Sequence, residues 1–134
     1  MYILSKKYHL SASHVLPGHI KCGRMHGHNY FIEVFVGSND LDEKGMVMDF
    51  GDIKKIVDEI LGPYDHKHLG TIPEGWTANP DHVMPLPFKQ TTAENLARYW
   101  GTLIQERLSP LQLIKIDIHE TPMSVATWIP PQNT

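Results

Sequence analysis

Residues 3–14 alternate: Leu4, Tyr8, Leu10, Ala12 and His14 fall on one side, interrupted only by Lys6. A period of two marks a half-buried strand. Residues 27–37 form a second predicted strand, rich in Tyr30, Phe31, Ile32, Val34, Phe35 and Val36. Between them, Pro17, Gly18 and Gly23 make residues 15–25 a loop. Residues 38–45 are polar and read as a turn, and 46–50 as a short extended piece. The period then changes. Ile53, Ile56, Val57, Ile60 and Leu61 follow the spacing of an amphipathic helix, with Asp49 or Asp52 as its cap and Gly62-Pro63 as its stop. Residues 64–90 carry repeated prolines and glycines and read mostly as loop, and a loop that long is usually functional or mobile. Thr91-Thr92-Ala93-Glu94 has the spacing of a capping box, ahead of a helix with Leu96, Trp100, Leu103, Ile104 and Leu108 as its inner stripe. Ser109-Pro110 ends that helix, and residues 113–121 and 124–129 read as two more strands.

The order is strand, strand, helix, helix, strand, strand. It predicts an α+β fold: one antiparallel sheet with two helices on one face, in a single domain over residues 1–134. So small a sheet leaves open edges, which favours an oligomer.

Composition narrows the function classes. Of 134 residues, 41% are apolar and 20% charged, and the net charge is −3. No basic run marks a nucleic-acid or membrane surface, so neither is an expected partner. No apolar stretch approaches the roughly 20 residues of a membrane span. Residues 1–10 alternate rather than forming a signal-peptide core, so the cytoplasm is the expected compartment. The single cysteine, Cys22, cannot make an internal disulfide.

Nine histidines in so short a chain call for a reason. On a strand, His26 and His28 point to one face, roughly 6–7 Å apart. His14 ends the apolar face of the first strand and supplies a third nitrogen. Three neutral imidazoles with an open fourth position describe a catalytic zinc site better than a closed structural one. Cys22 sits in a polar loop, Lys21-Cys22-Gly23-Arg24, where a thiol is more often reactive than packed. Asp65-His66 forms a candidate proton relay, with His68 as a competitor. Ile114, Ile116, Ile118 and Glu120 share one predicted strand face, so Glu120 ends an apolar row. It is either solvated or placed to grip a guanidine-like edge with two hydrogen bonds. Asp49 and Glu94 are explained by capping, His119 by exposure on a polar face, and Trp76, Trp100 and Trp128 by packing.

Several segments occur in a familiar order. They are Ser11-Ala12-Ser13-His14, Cys22-Gly23-Arg24-Met25-His26-Gly27-His28-Asn29-Tyr30, Gly45-Met46-Val47-Met48-Asp49-Phe50, Asp65-His66-Lys67-His68-Leu69, Thr92-Ala93-Glu94-Asn95 and His119-Glu120-Thr121. Together they resemble the 6-pyruvoyltetrahydropterin synthase / 6-carboxytetrahydropterin synthase family over nearly the whole chain. The resemblance implies the tunnelling fold (ββααββ), trimers commonly stacked into hexamers, active sites at subunit contacts, and 7,8-dihydroneopterin triphosphate as substrate. It implies zinc on His14, His26 and His28, Cys22 as general base, and Asp65 with His66 as the rest of a triad. It implies Glu120 as the pterin anchor, with the Thr91–Thr92 region, Thr92 above all, assisting. Arg24, with Lys21 and Lys89, is a candidate contact to the triphosphate.

The short Cys-x-x-x-His-Gly-His spacing resembles the carboxy type, which also expels acetaldehyde. The alternatives are the pyruvoyl outcome and a zinc-containing pterin-binding protein without catalysis. The chain departs from the family at Gly70, where Asn is usual, and at Thr91, where Pro is usual. Residues 70–90 are longer than expected, and Thr127-Trp128-Ile129-Pro130 replaces a small basic tail.

Overall fold

The computed structural model of the chain describes residues 1–132; the last two positions of the expected domain lie outside the described residues. Strand β1 (Tyr2–His14) runs antiparallel to β2 (His26–Ser38) along its full length, from Tyr2 opposite Ser38 to His14 opposite His26. Helix α1 (Phe50–Leu61) follows, then the short strands β3 (Lys67–Leu69) and β4 (Val83–Met84). Helix α2 (Ala93–Leu108) leads into β5 (Gln112–Thr121) and β6 (Ser124–Trp128). The sheet order is β4-β3-β1-β2-β5-β6.

The four long strands and two helices match the sequence expectation; the all-antiparallel sheet does not. The segment expected as loop contributes β3 and β4, which pair in parallel with β1 and with each other. They are three and two residues long, too short to show a period of two between prolines and glycines. Residues 46–50 make no strand ladder, and helix α1 already begins at Phe50.

Even-numbered residues of β1 and β2 face the helices. Leu10, Ala12, Tyr30, Ile32, Val34 and Val36 are buried there against Ile53, Ile56, Val57 and Leu61 of α1 and Leu96, Ala97, Trp100 and Ile104 of α2. This apolar layer stabilises the fold by roughly 25 cal/mol per Å² of area removed from water. Asp49 caps α1, accepting from the Gly51 N–H at 2.7 Å. Gly101 lets the half-buried Trp128 lie against α2, since a Cβ there would stand 2.6 Å from the indole. Trp76, expected to pack, is 58% exposed.

A β-bulge corrects the predicted row on β5. Phe35 pairs with Lys115 but Val36 pairs with Leu113, leaving Ile114 as the extra residue. Leu113 takes the buried place, while Ile114 crosses to the other face and fills the space above Gly37. An inserted residue inverts the alternation, so the apolar row is Leu113, Ile116 and Ile118. His119, expected to be solvated, is half-buried edge-on to Phe31 at 5.7 Å.

Candidate metal centre

The core-facing rows of β1 and β2 end in histidines instead of aliphatic residues. His14 and His26 are directly opposed across the ladder, and His28 opposes Ala12 one step further in. The period-two geometry therefore turns all three rings to the same face. Their ring centroids lie 4.5, 5.1 and 4.9 Å apart, and one ligating nitrogen from each lies within 4.8 Å of the others. Gly27 leaves room between them: a Cβ there would stand 3.3 Å from the Ala12 carbonyl.

Hydrogen bonds fix the tautomers. His14 Nδ1 lies 2.9 Å from the Thr91 carbonyl, and His26 Nδ1 lies 2.8 Å from the Arg24 carbonyl. A carbonyl only accepts, so each Nδ1 carries the proton and each Nε2 keeps its lone pair. His28 also has a backbone partner, at Glu120. Among the described residues, the Nε2 atoms of His14 and His28 are buried with no hydrogen-bond partner. Buried polar atoms are normally paired, and metal-ligating histidines normally give their other N–H to a carbonyl. Orphaned lone pairs that converge, each backed by a carbonyl, fit a cation with nitrogen preference. Donors of this kind accept several divalent ions.

Electrostatics agree with neutral ligands. Burial pulls His14 down to about 4. His28 is also lowered, chiefly by burial and against the pull of the Glu120 carboxylate. Tyr30, packed beside both rings, is pushed up by burial and by Glu120. One consequence is measurable. His14 titrates near 6.5 in the unfolded chain and near 4 when folded without metal. Between those values the unfolded chain binds more protons. Stability from this group is therefore full above about pH 6.5 and falls by up to about 3 kcal/mol on the way down to pH 4. Urea unfolding of chelator-treated protein across that window, with His14→Gln as reference, is expected to show this slope only in the wild type. Parallel curves would mean that His14 is not held neutral.

The remaining candidates are dispersed. Glu120 lies on the face of the imidazoles, close enough to act on His28 and Tyr30. Asp65 and His66 sit at the β3-side edge of β1. The Asp65 carboxylate accepts from the Ser11 N–H at 2.9 Å, and the His66 N–H donates to the Ser11 carbonyl at 2.6 Å. Adjacent side chains usually diverge, yet here His66 adopts φ 60° and its Nδ1 reaches Asp65 Oδ1 at 3.1 Å. That left-handed conformation is costly for a non-glycine residue and is retained where surroundings enforce it. The Ser11 N–H, and then His66, hold the Asp65 carboxyl below its ordinary range. His66 borders a cleft of about 350 Å³ with Ser11, Ser13, Asn29 and Lys67, a cleft that Gly27 and His28 of the ring cluster also line.

Cys22 and Arg24 lie in the loop joining β1 to β2. The backbone of Cys22 is tied to Leu16 and His19; its thiol is not part of the histidine cluster. His68 is occupied elsewhere: its Nε2–H donates to the Thr71 carbonyl at 2.7 Å, and the Ser13 hydroxyl donates to its Nδ1 at 2.8 Å. Thr92, not Thr91, is the cap of α2, accepting from the Asn95 N–H at 3.2 Å. The capping box read at Thr91 is therefore displaced by one residue, and Glu94 stands free on the surface. Thr91 is instead wholly buried against His14. No sequence pattern marks that role, because the two residues are 77 positions apart.

The family model for 6-pyruvoyl tetrahydropterin synthase matches residues 3–130. A putative 6-carboxy-5,6,7,8-tetrahydropterin synthase of Archaeoglobus fulgidus is 54% identical over 59 residues, 44% of this chain and 50% of that protein. The 6-carboxy-5,6,7,8-tetrahydropterin synthase of Haemophilus influenzae is 34% identical over 145 positions, covering 96% of this chain and 99% of that one. The solved 6-pyruvoyl tetrahydropterin synthase of Caenorhabditis elegans superposes with a TM-score of 0.76 at 25% identity, covering 97% of this chain and 96% of that one.

Proposed function

Because this chain belongs to the 6-pyruvoyl tetrahydropterin synthase family and has its tunnelling fold, we propose that it is a zinc-dependent 6-carboxy-5,6,7,8-tetrahydropterin synthase. It acts on 7,8-dihydroneopterin triphosphate and water, leaves a 6-carboxypterin, and releases triphosphate and acetaldehyde, the step that feeds queuosine and other 7-deazapurines. Residues 1–134 form one synthase domain working in the cytoplasm. The observation that carries this reading is the convergence of three imidazoles, two of which, His14 and His28, bury an unpartnered Nε2. The curated relatives named for the carboxy reaction support the choice of product.

His14, His26 and His28 hold the zinc, which when bound supplies Lewis-acid stabilisation of negative charge developing on the substrate's side-chain oxygens. The Cys22 thiolate removes a carbon-bound proton, and the Asp65–His66 pair delivers a proton at a second position. The contact between Asp65 and His66 at 3.1 Å supports that pairing, since a carboxylate on Nδ1 fixes which nitrogen donates. Glu120 holds the guanidine-like edge of the pterin, a role supported by its position on the face of the imidazoles. Thr92 assists at the ring, and Arg24 contacts the triphosphate.

The active site is completed between copies in a trimer or hexamer. Two features support this. Cys22 and the Asp65–His66 pair lie on separate elements of one chain, and the cleft at His66 does not include the thiol. Strand β3 pairs with β1 only at Ala12 and Ser13, leaving the rest of that edge open, as is the outer edge of β6. Among the described residues no helix is long and apolar enough to cross a membrane.

The deciding test is incubation of the zinc-loaded protein with 7,8-dihydroneopterin triphosphate, with acetaldehyde and the pterin product measured by mass. Acetaldehyde together with a 6-carboxypterin is expected. Triphosphate release without acetaldehyde would move the protein to the pyruvoyl reaction, and unchanged substrate to pterin binding without catalysis.

A further inference from the structure

His14 is held differently from the other two rings. Its Nδ1 lies 2.9 Å from the Thr91 carbonyl and also 3.2 Å from the Thr91 hydroxyl, with the Tyr30 hydroxyl at the margin of contact, 3.5 Å away. His26 Nδ1 bonds a single oxygen, the Arg24 carbonyl. An imidazole anchored on one acceptor can swing about that contact. Two acceptors in different directions fix its plane, and hence the direction of Nε2. The ring and Thr91 are both wholly buried, so water does not compete for either bond.

The hydroxyl sits there because the threonine methyl has a place of its own. Thr91 Cγ2 packs over Gly70, where a Cβ would stand 3.0 Å away. Gly70 adopts φ 68°, and its N–H donates to the Met84 carbonyl at 2.8 Å, which holds this turn beneath Thr91. A β-branched side chain has few χ1 choices; with the methyl seated on Gly70, the hydroxyl is directed at His14. Residues 70 and 91 therefore touch although they are far apart in the chain.

We propose that Thr91 is a positioning residue for the metal ligand His14. Its hydroxyl fixes the ring plane so that Nε2 faces the ion, and Gly70 supplies the space that holds the threonine in that rotamer. This rests on the metal-centre reading above. The role is one of orientation: Thr91 touches neither ion nor substrate.

The test is competition for Zn²⁺ between a chromogenic chelator and the intact protein, in wild type, Thr91→Val, Thr91→Ser and Gly70→Ala, together with the visible spectrum of each Co²⁺-loaded form. Valine keeps the shape and the backbone carbonyl but removes the hydroxyl. It is expected to weaken zinc binding about tenfold, the lower end for a residue behind a metal ligand, and to change the cobalt bands. Serine keeps the hydroxyl but not the methyl seated on Gly70, and is expected to bind between the wild type and the valine variant. Gly70→Ala is expected to show an intermediate loss. Circular dichroism of the metal-free variants separates these effects from unfolding. If the valine variant does not fold, serine decides, and a serine variant as weak as a tenfold loss overturns the proposal. A folded Thr91→Val with wild-type zinc affinity and an unchanged cobalt spectrum overturns the role of Thr91 alone. A wild-type protein that binds no metal overturns both this role and the metal centre.

Discussion

Replacing His28 with alanine is expected to weaken zinc binding on the order of a thousandfold while leaving the metal-free fold intact. The two halves have separate physical causes. A protein zinc site of three imidazoles is worth about 12 kcal/mol, so one ligand accounts for roughly 4 kcal/mol, on the order of a thousandfold in affinity. Meanwhile His28 Nε2 is a buried atom without a hydrogen-bond partner in the metal-free chain. Leaving a polar group in that state costs about 1–3 kcal/mol, so its removal offsets the packing and the Glu120 contact that the ring gives up. Thermal unfolding reads both effects at once. In the wild type, zinc at a thousand times its dissociation constant should add about 4 kcal/mol of stability. In His28→Ala the same zinc concentration only equals the weakened dissociation constant, so that increment should shrink to about 0.4 kcal/mol, while the unfolding of the chelated protein changes little. Equal zinc stabilisation in both proteins would remove His28 from the ligand set.

Cys22→Ala is expected to lose turnover by a factor of about 10²–10⁴, the range for a general base, while retaining a full complement of zinc. The dissociation of the two readouts follows from position. The thiol lies in the loop between β1 and β2 and is outside the cluster of ligating nitrogens. Metal content by elemental analysis should therefore match the wild type, and the loss should appear in kcat more than in KM. Full activity in this variant would end the assignment of Cys22 as base. A loss of zinc parallel to the loss of activity would make the thiol a fourth ligand and the site a structural one.

The two experiments bear on parts of the site that differ in how they are encoded. His14, His26 and His28 were legible in the sequence because each continues the apolar row of its own strand. A period of two is local, and a histidine at a core position is conspicuous where an aliphatic residue is expected. The cap at Asp49 and the inner faces of α1 and α2 were legible for the same reason, with the helical period in place of the strand period. The motifs around Cys22 and Asp65-His66 were equally visible as residues in order, and they pointed to the family that the chain matches over residues 3–130.

What the sequence could not contain is any relation set by contact across the fold. The row on β5 was misread at Ile114 because a bulge depends on the register with β2, not on β5 itself. Strands β3 and β4 were missed because two or three residues carry no periodicity; only the neighbouring edge of β1 makes them strands. Asp65 and His66 meet because Ser11, 54 positions earlier, holds the carboxylate and the turn. Thr91 is the clearest case. As sequence it looks like a helix cap, but Thr92 takes that role, and burial against His14 and Gly70 gives Thr91 another. Periodic patterning along the chain determined which face is core and which side chains end it. Three-dimensional packing decided which nitrogen of each ring is free, because a tautomer is chosen by the oxygen that happens to lie beside it.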